Sequence, residues 1–354
     1  MGTWFATRED VMRALDVKLT ARNSAQIDRA LESASRDVES LCHRTTFAPT
    51  TATKSFDYPG SQYARPWILR LDANELISVT TLTSGGTTIA AADYFLEPNQ
   101  YGSPFSRIEI DLDSSAAFSS GDTHQRAIVV TGLWGYRNDE TSVGTLTAAV
   151  STTTATTVSV DAAASALLGV GSVLRIDSER LLVTGRTMAD TGQNVGGAGL
   201  TAQQNSVTLT VTDGTAFAVD EVLLVESERM LVVDIAGNNL TVIRAWDGSI
   251  IAAHAAGVDI YAPRTLTVTR GALGTTAATH TSGATVVRWD PPGLVRDLVI
   301  ADAMNRVLQE QAGYARTSKT STGAKSVSVE TLSLEALRTQ TYNAHGRKGR
   351  MRGV

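Results

Sequence analysis

The chain repeats itself at two different offsets, and this constrains its fold more than any single motif does. Residues 158–183 match residues 207–232 at an offset of 49: Val173-Leu174 aligns with Val222-Leu223, Ile176 with Val225, and Ser178-Glu179-Arg180 with Ser227-Glu228-Arg229. A second match is shifted by 26, placing Thr241-Val242, Arg244, Gly248, Ala252, His254 and Gly257 over Thr267-Val268, Arg270, Gly274, Ala278, His280 and Gly283. Tandem copying would keep one offset, whereas nesting produces two. An outer β module begins near Thr157, breaks off after Thr187 and resumes at Thr265, and a complete inner copy spanning 205–261 occupies its loop. Such an insertion is tolerated where the loop ends lie close, because closure entropy grows slowly with length. Asp177-Ser178-Glu179-Arg180 and Glu226-Ser227-Glu228-Arg229 each lie between two apolar runs and read as hairpin turns.

Composition agrees with an extended backbone: there are 46 threonines against 20 aromatic residues. A chain of 354 residues calls for two or more cores, and 42% hydrophobic with 19% charged residues excludes a disordered or fibrous one. The net charge of -5 excludes a basic protein that coats nucleic acid. A single cysteine, Cys42, excludes intramolecular disulfides and a cysteine-cluster metal site. The start of the chain has no apolar segment of signal-peptide length, and no stretch approaches the ~18 uninterrupted apolar residues of a membrane span. A soluble protein is expected, with no address label of its own.

The first forty residues read as two helices. Thr7 with Asp10 three positions on forms a capping-box-like start, followed by Val11, Met12 and Leu15. Asn23 or Ser24 caps the second helix, where Ile27, Leu31, Ala34, Val38 and Leu41 share one stripe. From Phe56 to Tyr136 the period becomes extended, with short strands at 67–71, 76–79, 94–96, 108–112 and 127–130 that suggest one small antiparallel sheet. Helical pattern returns after Pro291-Pro292, through Leu294, Leu298, Ala301, Met304 and Leu308, and ends at Gly313.

The expected division is therefore a first core segment at 1–142, an inserted β domain at 143–289, a second core segment at 290–313 and an extended arm at 314–354. Within the insert, the outer module takes 157–187 and 265–289 and the inner takes 205–261. The expected fold class is α+β: a helix bundle with a small antiparallel sheet, plus an inserted all-β domain of two nested modules. In the arm, the Ser/Thr/Lys/Gly stretch 317–325 cannot bury enough apolar area to order itself. Val327 and Val329 suggest a short extended piece, and Leu332, Leu334 and Leu337 a helical turn or two. No acid follows Glu335, while Arg338, Arg347, Lys348, Arg350 and Arg352 add five positive charges, so the rest of the chain carries -10. That basic tail reads as a solvated terminus, a nucleic-acid contact or a docking peptide for an acidic groove.

No catalytic constellation emerges. Gly271-Ala272-Leu273-Gly274-Thr275 lacks the lysine of a phosphate-cradling loop, and the five histidines show no metal-ligand spacing. Asp111 and Asp113 flank Leu112 and read as a solvated strand face rather than a carboxylate pair. Glu179 and Glu228, each beside an arginine, read as turn residues with local charge pairing, and His254 and His280 as turn or packing residues. Cys42 reads as a small buried hydrophobe, not a nucleophile. No cofactor is expected, and no enzyme.

The order of elements carries a resemblance. A capped helix pair, strands with Asp93-Tyr94-Phe95-Leu96-Glu97-Pro98 and Ile108-Glu109-Ile110, a strand ending Val129-Val130-Thr131-Gly132-Leu133-Trp134-Gly135-Tyr136, and the Pro-led helix from Leu294 to Gln311 resemble the head-to-tail connector (adaptor) proteins of long-tailed double-stranded DNA phages. In that family the Thr-Gly-x-Trp-Gly-Tyr strand end leads almost directly into the Pro-led helix, whereas here ~150 residues intervene. The insert, with Ser-Glu-Arg-Met-Leu-Val, Leu-Thr-Val-x-Arg and the Gly274 to Gly283 segment, is similar to a β repeat of virion structural proteins. Lys325-Ser326-Val327-Ser328-Val329 and the following Leu-bearing segment look like the family's C-terminal arm.

The resemblance implies a homo-oligomeric ring of twelve subunits in the neck of the virion, assembled in the host cytoplasm. Its partners would be the portal protein on one face and a tail-side neck or tail terminator protein on the other. Double-stranded DNA would pass through without sequence-specific contact, and no membrane would be involved. Separately, the concentrated charge of the basic tail suggests that Arg338, Arg347, Lys348, Arg350 and Arg352 dock on the portal. A surface-exposed β-repeat adhesin or carbohydrate-binding virion protein is the competing reading.

Overall fold

The computed structural model describes residues 2–15, 20–58, 65–100, 102–311 and 333–347. The chain opens with α1 (Arg8–Leu15) and α2 (Ala21–Leu41). Seven strands follow: β1 (Thr50–Phe56), β2 (Ile68–Arg70), β3 (Leu76–Ser84), β4 (Thr87–Ile89), β5 (Tyr94–Glu97), β6 (Arg107–Ile110) and β7 (Ile128–Trp134). The next stretch holds β8 (Glu140–Thr145), β9 (Thr157–Ser159), α3 (Ala162–Leu167), β10 (Val173–Ile176) and β11 (Glu179–Asn194). After these come β12 (Thr208–Thr210), β13 (Val222–Val225), β14 (Glu228–Ala236), β15 (Asn239–Ile243), β16 (Asp259–Thr269) and β17 (Thr285–Trp289). Two helices close the described chain, α4 (Gly293–Gln311) and α5 (Leu334–His345).

This corrects the expected fold class. Among the described residues the molecule is mostly β, with sheets of ten, four and three strands and five short helices, rather than a helix bundle carrying a small sheet. Helices do form near the start of the chain and after Pro292, but they were given too much weight, and a further short helix, α3, lies inside the insert that was expected to be all β. Thr-rich segments without strict apolar alternation, among them β1, β4 and β8, are strands as well.

The fold divides into two compact units. The first comprises Met1–Val38, Glu140–Ala272 and Thr276–His345. Its ten-stranded sheet runs β12-β15-β14-β13-β16-β11-β10-β17-β8, with β9 pairing β16 off that path. Two separate cores lie along it. One gathers Val143, Val158, Leu174, Leu181, Leu266 and Val286, and the other Leu209, Leu223, Met230, Leu240 and Ile260. Strands β11 and β16 pass from one core to the other as a continuous antiparallel ribbon, and Thr187 and Thr265 are register partners in it. The register slips between Val183 and Gly185, Thr187 and Ala189, and Asp190 and Gln193, bulges that add twist at this junction.

The helices of this unit follow their patterning. Thr7 and Asp10 make the reciprocal capping box: the Asp10 amide donates to Thr7 Oγ1 at 3.1 Å and the Thr7 amide to Asp10 Oδ2 at 3.0 Å. The second helix starts earlier than expected, because Thr20 rather than Asn23 or Ser24 caps it, its Oγ1 accepting from the Asn23 amide at 3.2 Å. Ile27, Leu31, Ala34 and Val38 are buried, as their stripe requires. Glu9 ties α1 to the strand-bearing part by accepting the Val170 amide at 2.8 Å, while the Arg8 amide donates to the Val170 carbonyl at 3.0 Å. On α4, Asp302 is buried and accepts from Arg306 Nε and from Arg338 Nη2 of α5, both at 3.1 Å.

The second unit comprises Glu39–Asp139, Leu273–Thr275 and Gly346–Val354. Instead of one five-stranded sheet it holds a four-stranded sheet, β1-β7-β3-β4, and a three-stranded one, β2-β6-β5. They share a core around Leu69, Leu76, Leu82, Ile108, Ile128 and Trp134. The Thr-Gly-Leu-Trp motif has a packing reason: a Cβ on Gly132 would lie 2.2 Å from the Ser78 carbonyl oxygen, and the Trp134 indole donates to the Ala52 carbonyl at 2.9 Å.

Candidate functional site

Among the described residues, the most heavily bonded polar groups occur twice, once in each copy of the repeat. In the outer copy, Asp177 and Ser178 turn the chain between β10 and β11, with Asp177 in the left-handed region at φ 51°. Glu179 is therefore the first residue of β11, and the pleat points it inward on the same side as Leu181 and Val183. A buried carboxylate is tolerated only when its lone pairs are taken. Here they are: Arg270 donates from Nε to Oε1 at 2.8 Å and from Nη2 to Oε2 at 2.7 Å. The Gly271 amide adds a bond to Oε1 at 2.8 Å and the Ala278 amide one to Oε2 at 2.9 Å. His280 Nε2 lies 2.9 Å from Oε2, and its Nδ1 lies 2.8 Å from Asp177 Oδ2. Arg270 also donates to the carbonyls of Thr152, Ala155 and Ala278.

The inner copy reproduces this bond for bond, with Glu226 in the place of Asp177. Arg244 donates to Glu228 from Nε and Nη2, each at 2.7 Å, and the Ala245 and Ala252 amides donate at 2.9 Å. His254 Nε2 is 2.9 Å from Glu228 Oε2 and Nδ1 is 2.7 Å from Glu226 Oε2. Arg244 reaches the carbonyls of Thr201, Ser206 and Ala252. The backbone repeats too. Left-handed residues recur in pairs: Asp177 and Glu226 at 51° and 52°, Gly271 and Ala245 at 59° and 56°, Leu273 and Asp247 both at 53°.

Burial alone would raise both carboxyls, yet the donors outweigh it, the paired arginine first, then the two amides and the histidine, and hold Glu179 and Glu228 at about 2. A carboxylate ionised across the working pH range, with every oxygen engaged, is a poor general base. What the arrangement does is fasten. It ties a hairpin, the turn after β15 or β16 and the returning histidine segment to one buried anion.

This differs from the reading of Glu179 and Glu228 as turn residues paired with the arginine beside them. Both are fully buried strand residues whose arginine partners come from distant sequence. The neighbouring arginines go elsewhere, Arg180 to Glu140 at 3.5 Å and Arg229 to Asp247 at 3.7 Å. The signal was present in the sequence, divided between the two offsets: the glutamates match at 49, the arginines and histidines at 26. His254 and His280 do pack, with buried, hydrogen-bonded rings.

The basic tail is placed only in part. Arg338 lies on α5 and pairs with Asp302 at 3.1 Å. The Arg347 amide donates to the Cys42 carbonyl at 2.8 Å and its guanidinium to the Asp72 carbonyl. Lys348, Arg350 and Arg352 lie outside the described residues, as do the 317–325 stretch, Val327 and Val329. The remaining candidates disperse. Asp111 and Asp113 sit in the turn after β6, where the Asp113 amide donates to Asp111 Oδ1 at 3.0 Å. Cys42 is buried, and burial pushes its thiol up against the opposing pull of Arg44. A cleft of about 280 Å³ lies in the first unit among Trp4, Phe5, Leu167 and Trp289, with the Asp10–Arg296 pair, closed at 2.7 Å, at its side.

Among the described residues no group of three or more His, Cys, Asp or Glu side chains could hold a metal ion, and no described helix is long and apolar enough to cross a membrane. No known family model, curated protein or solved structure matches the chain.

Proposed function

We propose that the chain is a structural virion protein, a head-to-tail adaptor that forms a ring below the portal and links capsid to tail. One observation carries this reading: helices from the two ends of the sequence join across the whole insert. Arg296 of α4 pairs with Asp10 of α1 at 2.7 Å, Arg29 of α2 with Glu310 of α4 at 3.1 Å, and Arg306 of α4 with Asp37 of α2. A closed ring needs rigid flanks on each subunit, so that one side of a copy complements the opposite side of the next. Helices braced against one another supply such flanks. The clasped β modules fit the same role, because their buried polar groups serve cohesion. An acidic body lining the bore would repel phosphates and let the duplex slide, where a basic one would grip it.

The test is the assembly state of the purified full chain, by native mass spectrometry with electron-microscope class averages. Closed rings with a central hole wide enough for a duplex support the adaptor. A monomer under all conditions, or rings with no hole, overturns it. Binding on a glycan array without ring formation would favour the adhesin reading.

A further inference from the structure

Each clasp contains a histidine with carboxylate oxygens against both ring nitrogens. An ionised carboxylate offers only lone pairs, and a neutral imidazole has a single N–H to give. Glu228 already receives four N–H donors, from Arg244 twice and from the amides of Ala245 and Ala252, so it carries no proton and His254 Nε2 must donate. If the ring were neutral, its Nδ1 lone pair would then face Glu226 Oε2 at 2.7 Å. The ring is fully buried, so water has no room to intervene. His280 is in the same position between Glu179 and Asp177, at 2.9 and 2.8 Å.

We propose that His254 and His280 stand in the fold as imidazolium ions and act as proton-held latches on the two hairpin tips. With both protons in place, each clasp is electrically balanced: Arg244 and His254 against Glu226 and Glu228, Arg270 and His280 against Asp177 and Glu179. At the outer site, Arg175 also reaches the Asp177 carbonyl, at 2.8 Å. The tip residue is Glu in one copy and Asp in the other, yet the contact to Nδ1 is nearly the same length, so the acid has been kept while its side chain changed. These tip acids are the solvent-facing members of the clasps, 55% and 63% exposed. When a histidine loses one proton, its tip acid meets a lone pair and can swing into water. The latch therefore closes at lower pH and opens as pH rises.

Long-range proton–nitrogen correlation spectra of the full chain, recorded from acid to alkaline pH, read this directly. At about pH 7.5, a unit above the ~6.5 of a solvated imidazole, His254 and His280 are expected to show the nitrogen shifts of a doubly protonated ring. A neutral one-proton pattern there overturns the proposal. Glu226→Gln and Asp177→Asn alter only the exposed tip and spare the buried fastening. Glu226→Gln should weaken proton binding at His254 roughly tenfold and leave His280 unmoved, with Asp177→Asn doing the reverse. Titrations unchanged in both variants refute the latch even if the rings prove charged.

Discussion

Ala245 and Gly271 occupy one structural position in the two modules, both left-handed, and only the second is glycine. A Cβ in that region is strained, so Ala245→Gly should stabilise the chain by about 0.5–1 kcal/mol and Gly271→Ala should cost about 1 kcal/mol, read as shifts of the urea midpoint. The fastening glutamates make a second prediction. Both carboxyls fall from 4.5 to about 2 on folding, so their contribution is complete above pH 4.5 and fades as pH drops toward 2. An acid titration followed by far-ultraviolet circular dichroism should lose the β signal over that window, and Glu228→Gln should remove part of the dependence. Single residues were legible as a repeat but not as a site. Nothing in Ser-Glu-Arg says that its glutamate points inward, because inward direction depends on where a two-residue turn places the strand's first residue.

Helices were easier to read than strands at the level of elements. The stripe on α2 and the Pro-led start of α4 are local signals, whereas β1, Thr-Thr-Ala-Thr-Lys-Ser-Phe, has no apolar alternation, and β7 is its only ladder partner among the described residues. Pairing is non-local by nature, so the division of five anticipated strands between two sheets had no signature in the residues. The last helix runs through twelve residues where one or two turns were anticipated. Its attachment rests on polar contacts to α4, namely Arg338 to Asp302 and Thr341 Oγ1 to the Leu294 carbonyl at 3.3 Å. Asp302→Asn should loosen it, costing about 1–3 kcal/mol in thermal or urea unfolding and raising amide exchange along α5 before α4.

At the scale of the molecule, the two β cores are separate and meet through one ribbon. Excising residues 189–262 and bridging the gap with a short turn should leave the outer module folded, with its thermal transition and its protection from proteolysis retained. Loss of all cooperative unfolding would show that the inner module is needed as a template. If the adaptor reading holds, truncation after residue 346 should leave rings intact and weaken their co-purification with the portal protein; unchanged co-purification would separate the tail from docking. The duplication was legible because repeated sequence leaves arithmetic behind. The balance of helix and sheet was not, since it depends on how many Thr-rich segments find partners.

The pairing of Thr187 with Thr265 means that the chain leaves the outer module and returns to it about one strand spacing away, ~4.8 Å. A gap that narrow is a socket. Any folded cargo whose two termini lie side by side could be spliced there, and the host module would perceive it only as a longer hairpin.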